Sequence, residues 1–309
     1  MTTAVGPGGG GIGGVGAIYD RGYRPYDGEH GGRSAARLAL YRASIRRALG
    51  LRRSWRQKTA PFVLLGIAVI PAIVNVGAKY LTRDTVASDI EFFTYREYIG
   101  VSNALLVFVA LTAPDLMCPD RRQRVLPLLF SRPLRGSDYV LAKVGAMFTI
   151  LFTFSFLPQV VLFVGQMLVT EDGSLTYAQD NAELVWQVPL AVTALAGFYS
   201  TVGIAVASLT GRRITAGASI IGFFLVTSII SGSITGDPER KGYEGSLGGL
   251  VNLIDLPAVL RDLVFLGHVD EESQLSGVAG GGAWALVVYL LVVATAMAAL
   301  FYRYDEVDR

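Results

Sequence analysis

Six long apolar runs dominate this sequence of 309 residues, and they limit its fold more than any other feature. Each run is close to the roughly 20 residues that an α-helix needs to cross about 30 Å of bilayer hydrocarbon. Composition agrees, since only 17% of the residues are charged, whereas soluble domains average about 25%. We therefore predict an all-α integral membrane protein with six transmembrane helices. The predicted crossings are Pro61–Ala78, Ile99–Leu116, Val144–Val169, Val188–Leu209, Ile214–Ile234 and Ala283–Tyr302.

Lysine and arginine are distributed unevenly among the segments that join these runs. With the N-terminus inside, 21 of them fall on the inner side and 6 on the outer side, which is the positive-inside bias of membrane proteins. We therefore expect a multi-pass protein of the cell (plasma) membrane with both termini in the cytoplasm. The six-span region covers residues 59–303, and residues 304–309 form a short cytoplasmic tail.

The segment before the first run has two parts. Residues 1–36 are rich in glycine and poor in apolar residues, so we predict a disordered cytoplasmic tail that cannot bury enough surface to offset the entropy of ordering. Residues 37–58 place apolar residues at helical spacing among arginines, which predicts an amphipathic helix on the membrane surface. Nucleic-acid binding is the rival interpretation, and the apolar run that follows at once argues against it. The residues expected at the lipid surface are Arg42, Arg46, Arg47, Arg52, Arg53, Trp55 and Arg56.

A seventh apolar stretch, Leu250–Leu266, lies in the predicted outer loop 236–282. It carries Asp255, Arg261 and Asp262. A charged residue at the bilayer centre costs roughly 2.5–3.5 kcal/mol, so these charges outweigh the leucines around them. We therefore predict that the stretch does not cross the membrane and forms a re-entrant or interfacial segment before the last span.

Motifs for catalysis, nucleotide binding or metal binding are not apparent. His30 and His268 lie far apart and have no second ligand type at metal-site spacing, and Cys118 is the single cysteine. The glycines between Gly8 and Gly16 lack the Gly-Lys-Ser/Thr ending with which a P-loop holds phosphate. We therefore expect no enzyme activity, no cofactor and no metal in this chain.

The inner loop between the second and third runs, residues 115–143, is the most informative segment. It is too apolar for a solvated connector, because five apolar side chains between Val125 and Phe130 would be exposed unless lipid or protein covered them. Two interpretations stay open: a short amphipathic helix that docks into a groove on a cytoplasmic partner, or a loop that lies on the inner leaflet. The candidate contact residues are Asp120, Arg121, Arg122, Arg124, Leu126, Leu128, Leu129, Phe130 and Arg132.

The run Leu126-Pro-Leu-Leu-Phe-Ser-Arg-Pro-Leu134, followed by Asp138, Tyr139 and Lys143, resembles the membrane subunit of a type-2 ATP-binding cassette (ABC) exporter. Over roughly residues 37–303, the basic amphipathic helix is similar to the elbow helix of that family, and Leu250–Leu266 is similar to its re-entrant outer helices. The chain departs from the family at Arg124 and Val125, where other members often carry a Gly-Thr turn.

The resemblance implies a permease subunit that forms a substrate path together with a second copy or a homologue. It also implies that the inner loop holds the coupling helix, whose nine contact residues would meet separate cytoplasmic ABC ATPase subunits. ATP and magnesium would then be bound by those ATPases and not by this chain. The alternative is a membrane anchor or assembly factor that recruits a cytoplasmic partner and transports nothing.

Overall fold

The structure is a computed structural model that describes residues 31–50, 55–82, 94–99, 102–131, 133–170, 173–235 and 245–308. Within these ranges the chain is helical, and no β-strand is present. The elements, in chain order, are α1 (Arg33–Ala48), α2 (Trp55–Thr82), α3 (Tyr95–Ile99), α4 (Ser102–Arg122), α5 (Leu126–Phe130), α6 (Gly136–Val169), α7 (Ser174–Asp180), α8 (Leu184–Ala207), α9 (Arg213–Thr235), a 3-10 helix (Leu247–Val251), α10 (Leu256–Leu266) and α11 (Gly281–Asp308).

Four helices in the described part of the chain are long and apolar enough to cross a membrane: α6, α8, α9 and α11. They overlap four of the six predicted crossings, so within the described residues the all-helical prediction is confirmed and four of the predicted transmembrane helices are supported. The other two predicted crossings lie in α2 and α4. The apolar part of α2 is the shorter stretch Leu65–Leu81, and α4 is more polar. Six crossings therefore stay a prediction.

The polar helix α4 is sheltered by its neighbours, since it packs against both α8 and α9. Two glycines bring these helices close. Gly203 of α8 faces Val109, and a Cβ atom added at Gly217 of α9 would lie 2.8 Å from the carbonyl oxygen of Ala110. Close backbone approach at small residues is the usual way in which helices associate in a bilayer. The centre of α4 is therefore buried among protein helices.

The amphipathic helix ends earlier than predicted. Instead of one helix over residues 37–58, α1 runs from Arg33 to Ala48, and Trp55 and Arg56 already belong to α2. The chain leaves α1 through Gly50, whose φ of +65° is a left-handed conformation that favours glycine. The predicted tail 1–36 is also too long, since α1 begins at Arg33. Residues 1–30 lie outside the described ranges.

The inner loop 115–143 is mostly helical and not an open connector. Helix α4 continues to Arg122, and α6 begins at Gly136, so the two long helices enclose the five-residue helix α5. Pro127 lies in the first turn of α5, where proline's missing N–H costs no hydrogen bond. Short connections therefore join α5 to the end of α4 and to the start of α6.

The stretch Leu250–Leu266 folds into the end of the 3-10 helix and into α10, which has 11 residues. At 1.5 Å per residue α10 is about 17 Å long, which is too short to cross about 30 Å of hydrocarbon. Two of the three charges in the stretch are paired within the protein: Arg261 Nη2 lies 2.6 Å from Asp262 Oδ1, and Arg96 Nε lies 3.1 Å from the same atom. These pairs explain how buried charges are tolerated here. The re-entrant or interfacial placement of the segment stays a prediction.

Candidate functional site

A buried ion cluster joins three helices beside the inner loop. The Asp120 carboxylate of α4 is 2% exposed. Its Oδ2 atom lies 2.6 Å from Lys143 Nζ of α6 and accepts a hydrogen bond of 3.0 Å from the Tyr139 hydroxyl. Arg47 of α1 pairs with Oδ1. Lys143, which is 1% exposed, also donates to the Leu116 carbonyl at 2.9 Å. We call Arg47, Asp120, Tyr139 and Lys143 the inner ion cluster.

The cluster keeps Asp120 ionised. Burial alone would raise the pKa of this carboxyl, but the charges and hydrogen bonds of Lys143 and Arg47 outweigh burial and lower it. Because the carboxylate is enclosed, it is not available at the surface for a partner. Asp120 was predicted to contact an ATPase, and its burial instead gives it a role in holding α1, α4 and α6 together.

A second carboxylate fixes the other end of α1. Asp138, in the first turn of α6, is 2% exposed and accepts two hydrogen bonds from Arg33, of 2.6 and 3.0 Å. Arg37 lies 3.7 Å away, and the backbone N–H of Arg135 donates to Asp138 at 3.1 Å. Between the two charged contacts, the hydroxyls of Tyr41 and Thr149 lie 2.7 Å apart. Helix α1 is therefore held along its length against α6.

Helix α5, which follows α4 and precedes α6 in the chain, has one strongly exposed leucine. Leu128 is 70% exposed, whereas Leu126 and Leu129 are half-buried and pack against the hydrophobic core. The backbone of Phe130 ends α5, but its side chain and the whole of Arg132 lie outside the described part. Among the predicted apolar contact residues whose side chains the structure describes, Leu128 is the one exposed at the surface.

The three arginines before α5 take different positions. Arg121 donates to the Ser208 carbonyl at the end of α8, while Arg122 and Arg124 are exposed. Arg124 has a φ of +51°, which is uncommon for a residue other than glycine. This strained residue stands where the resembled family often has a Gly-Thr turn, so the chain makes a tight turn here without glycine.

A broad cavity of about 1240 Å³ opens beside α4, against the turn between α8 and α9. In its lining, Arg213 Nε lies 3.0 Å from Asp115 Oδ1, and the buried Cys118 thiol lies 3.6 Å from the Thr210 carbonyl. Burial raises the pKa of that thiol, which leaves it protonated and a weak nucleophile. We call this space the arginine cavity; its arginines are Arg121, Arg122, Arg212 and Arg213.

The residues predicted for the membrane surface are divided by the end of α1. Arg42 and Arg46 are exposed on α1, but Arg47 turns to Asp120. Arg52 and Arg53 lie outside the described residues, as do the side chains of Trp55 and Arg56. Contact with lipid headgroups stays a prediction for the exposed arginines.

Sequence reasoning missed the partners of the two buried carboxylates. The sequence pattern places Arg33 in the predicted disordered tail and marks Tyr139 and Lys143 only as part of the loop motif. One signal was present in the sequence. Asp120 and Asp138 are carboxylates in a strongly basic inner segment, where an acidic side chain is expected to pair with a nearby cation.

The described residues hold no group of three or more His, Cys, Asp or Glu side chains that could bind a metal ion. No model of a known protein family matches the chain, and no curated protein matches its sequence.

Proposed function

We propose that this chain is the permease subunit of an ABC exporter, coupled through α5 to separate cytoplasmic ATPase subunits. The observation that carries the proposal is the exposed Leu128 on a short helix between two long helices, α4 and α6, both of which pack against α1. An exposed leucine flanked by cations suits insertion into a groove of a partner protein. The resemblance of the loop sequence to the family's coupling helix supports the same assignment.

The inner ion cluster supports the mechanical side of this proposal. A push on α5 reaches α4 through a three-residue turn and α6 through a short connection. Asp120 and Lys143 link those two helices by a buried ion pair of 2.6 Å. Because packed, paired elements move as units, motion of a docked ATPase would shift α4 and α6 together with α1.

The partners and the cargo follow from the same proposal. ATP and magnesium would be held by the ATPase subunits, and a second permease copy or homologue would complete the path. Helices α9 and α11 leave most of their apolar surface uncovered within the chain, which leaves room for lipid and for a second permease. A lipid-like or amphipathic cargo suits such apolar helices.

The docking test changes the exposed leucine. In Leu128→Asp, we expect the amount of ATPase that copurifies in mild detergent to fall about tenfold, equivalent to about 1.4 kcal/mol of binding free energy. The control is Leu175→Asp on α7, since Leu175 is also 70% exposed and lies in the segment predicted to be outside. Unchanged ATPase recovery with Leu128→Asp would refute coupling through α5.

Transport separates the permease from a non-transporting anchor. In inside-out vesicles made from cells that contain the chain and its ATPase, a fluorescent amphipathic probe should accumulate on addition of ATP and magnesium. Accumulation should fall with Leu128→Asp and persist with Leu175→Asp. An ATPase that binds through Leu128 without any ATP-dependent accumulation of probe would instead identify an anchor or assembly factor.

A further inference from the structure

The arginine cavity carries an excess of positive charge that no described contact neutralises in full. Four guanidinium groups line it, whereas Asp115 supplies the single carboxylate among its lining residues. That carboxylate already pairs with Arg213 at 3.0 Å. The side chains of Arg122 and Arg212 are exposed along the opening. The cavity therefore has the charge of a site for an anion.

One guanidinium in the lining of this cavity is oriented by a hydrogen bond. Arg121 donates to the Ser208 carbonyl, which positions its planar group between α4 and the end of α8. A guanidinium presents several N–H donors in one plane and binds phosphate by paired hydrogen bonds. Arg121 thus combines a structural contact with remaining donors that suit a phosphate.

The same Arg121 also lines a second, mostly apolar cavity of about 500 Å³. This groove lies between the end of α8, the end of α11 and Leu126 of α5. Its apolar lining residues are Leu126, Ala205, Leu209, Ala299 and Leu300. Tyr302, Arg303 and Tyr304 of α11 also line it. A cationic cavity and an apolar groove therefore meet at one side chain.

The position of this junction distinguishes a lipid from a soluble anion. It lies at the ends of α8, α9 and α11, three of the helices that are long and apolar enough to cross a membrane. Ile214, at the mouth of the arginine cavity, is 86% exposed, and Leu209 and Tyr302 beside the groove are exposed as well. Such side chains are expected to lie in hydrocarbon or at its boundary, so the cavity opens at the level of the lipid headgroups.

We propose that the arginine cavity binds the headgroup phosphate of an anionic glycerophospholipid, whose acyl chain lies along the groove between α8 and α11. Arg121, Arg122 and Arg212 donate to the phosphate oxygens. Arg213 and Asp115 form the opposite wall. The inference rests on the membrane-embedded fold and not on the ATPase partner, so it stands or falls independently of the proposed function.

The test measures lipid retained by the intact purified protein. In native mass spectrometry from detergent micelles, we expect wild-type protein to retain phosphatidylglycerol over phosphatidylcholine. The double variant Arg122→Gln/Arg212→Gln should retain at least fivefold less phosphatidylglycerol. The matched control is Arg124→Gln/Arg135→Gln, which removes the same charge from exposed positions outside the cavity lining and should retain the wild-type amount. Equal loss in the control, or no loss in the cavity variant, overturns the site.

Competition identifies the occupant. Dihexanoyl-phosphatidylglycerol should displace the bound lipid, and inorganic phosphate at the same concentration should not, because it cannot use the apolar groove. Displacement by inorganic phosphate as effective as that by the short-chain lipid would overturn the lipid proposal in favour of a free anion. Equally effective displacement by a polyglutamate peptide would overturn it in favour of an acidic protein segment.

Discussion

At the scale of single residues, Asp120 joins α4 to Arg47 of α1 and to Tyr139 and Lys143 of α6. We expect Asp120→Asn to lower the free energy of unfolding by about 3 kcal/mol, because removing one member of a buried ion pair leaves the other charge uncompensated. Lys143, at 1% exposure, would be left in that position. The measurement is unfolding in dodecylmaltoside micelles titrated with sodium dodecyl sulfate.

The lowered pKa of Asp120 sets the sign of the pH dependence. Its contribution to stability is fully present above the ordinary carboxyl value of 3.8 and is lost as the pH falls below that value towards the lowered one in the folded state. Asp120→Asn should remove this part of the acid dependence.

The control for Asp120→Asn removes both charges. The double variant Asp120→Asn/Lys143→Met should recover at least half of the lost stability, since it leaves no buried lysine without a partner. Arg47 is 38% exposed in its side chain and can turn towards water. A double variant less stable than the single one would show that the pair contributes favourably in itself and that our account of the loss is wrong.

At the scale of elements, the contact of α4 with α9 depends on the absence of a side chain at Gly217. We expect Gly217→Ala to destabilise the protein by about 1–3 kcal/mol, because the new methyl group would press on the backbone of Ala110. Gly222→Ala is the matched control in the same helix, since a Cβ atom there meets nothing within 4 Å. Alanine is the better helix former, so the control should be as stable as wild type or more so.

Thermal unfolding in detergent separates these two glycine variants. Equal melting temperatures for Gly217→Ala and Gly222→Ala would contradict the close packing of α4 on α9. A lower melting temperature for Gly217→Ala alone would show that close packing against α9 helps to hold the more polar helix α4 among apolar helices.

At the scale of the whole molecule, the distribution of lysine and arginine predicts which side of the membrane each segment faces. We expect Ser131→Cys to be labelled by a membrane-impermeant maleimide only after cells are permeabilised, and Glu271→Cys to be labelled in intact cells. Both positions are exposed, and both variants are made in a Cys118→Ser background. Labelling of Ser131→Cys in intact cells would reverse the predicted orientation.

The sequence predicted the apolar helices better than their contacts. The long runs that became α6, α8, α9 and α11 carry their own signal, because length and hydropathy are local properties. The helical spacing of apolar residues also revealed α1. Its end at Ala48 was missed because the apolar spacing was followed on to Trp55, although Gly50 directly after the C-cap is a usual signal of a helix end. The prediction for α4 rested on hydropathy alone and could not include shelter by α8 and α9.

The candidate site could be predicted from the sequence only where its residues are contiguous in the chain. Helix α5 was recognised from contiguous residues, but Arg47 and Asp120 are 73 positions apart and Arg33 and Asp138 are 105 apart. Pairings over such distances depend on how helices are arranged and not on spacing. The arginine cavity was hidden for the same reason, since Arg121 and Arg212 come together only when α4 lies beside the turn between α8 and α9.

The long separation in sequence between α1 and the residues that it contacts on α4 and α6 has a consequence for biosynthesis. Ribosomes add about 5–20 residues per second, so Arg33 leaves the ribosome roughly 5–20 seconds before Asp138. During that interval the arginines of α1 must be accommodated by lipid headgroups or by water. Helix α1, the first of the described helices to be made, can therefore complete its docking only once the start of α6 has been made.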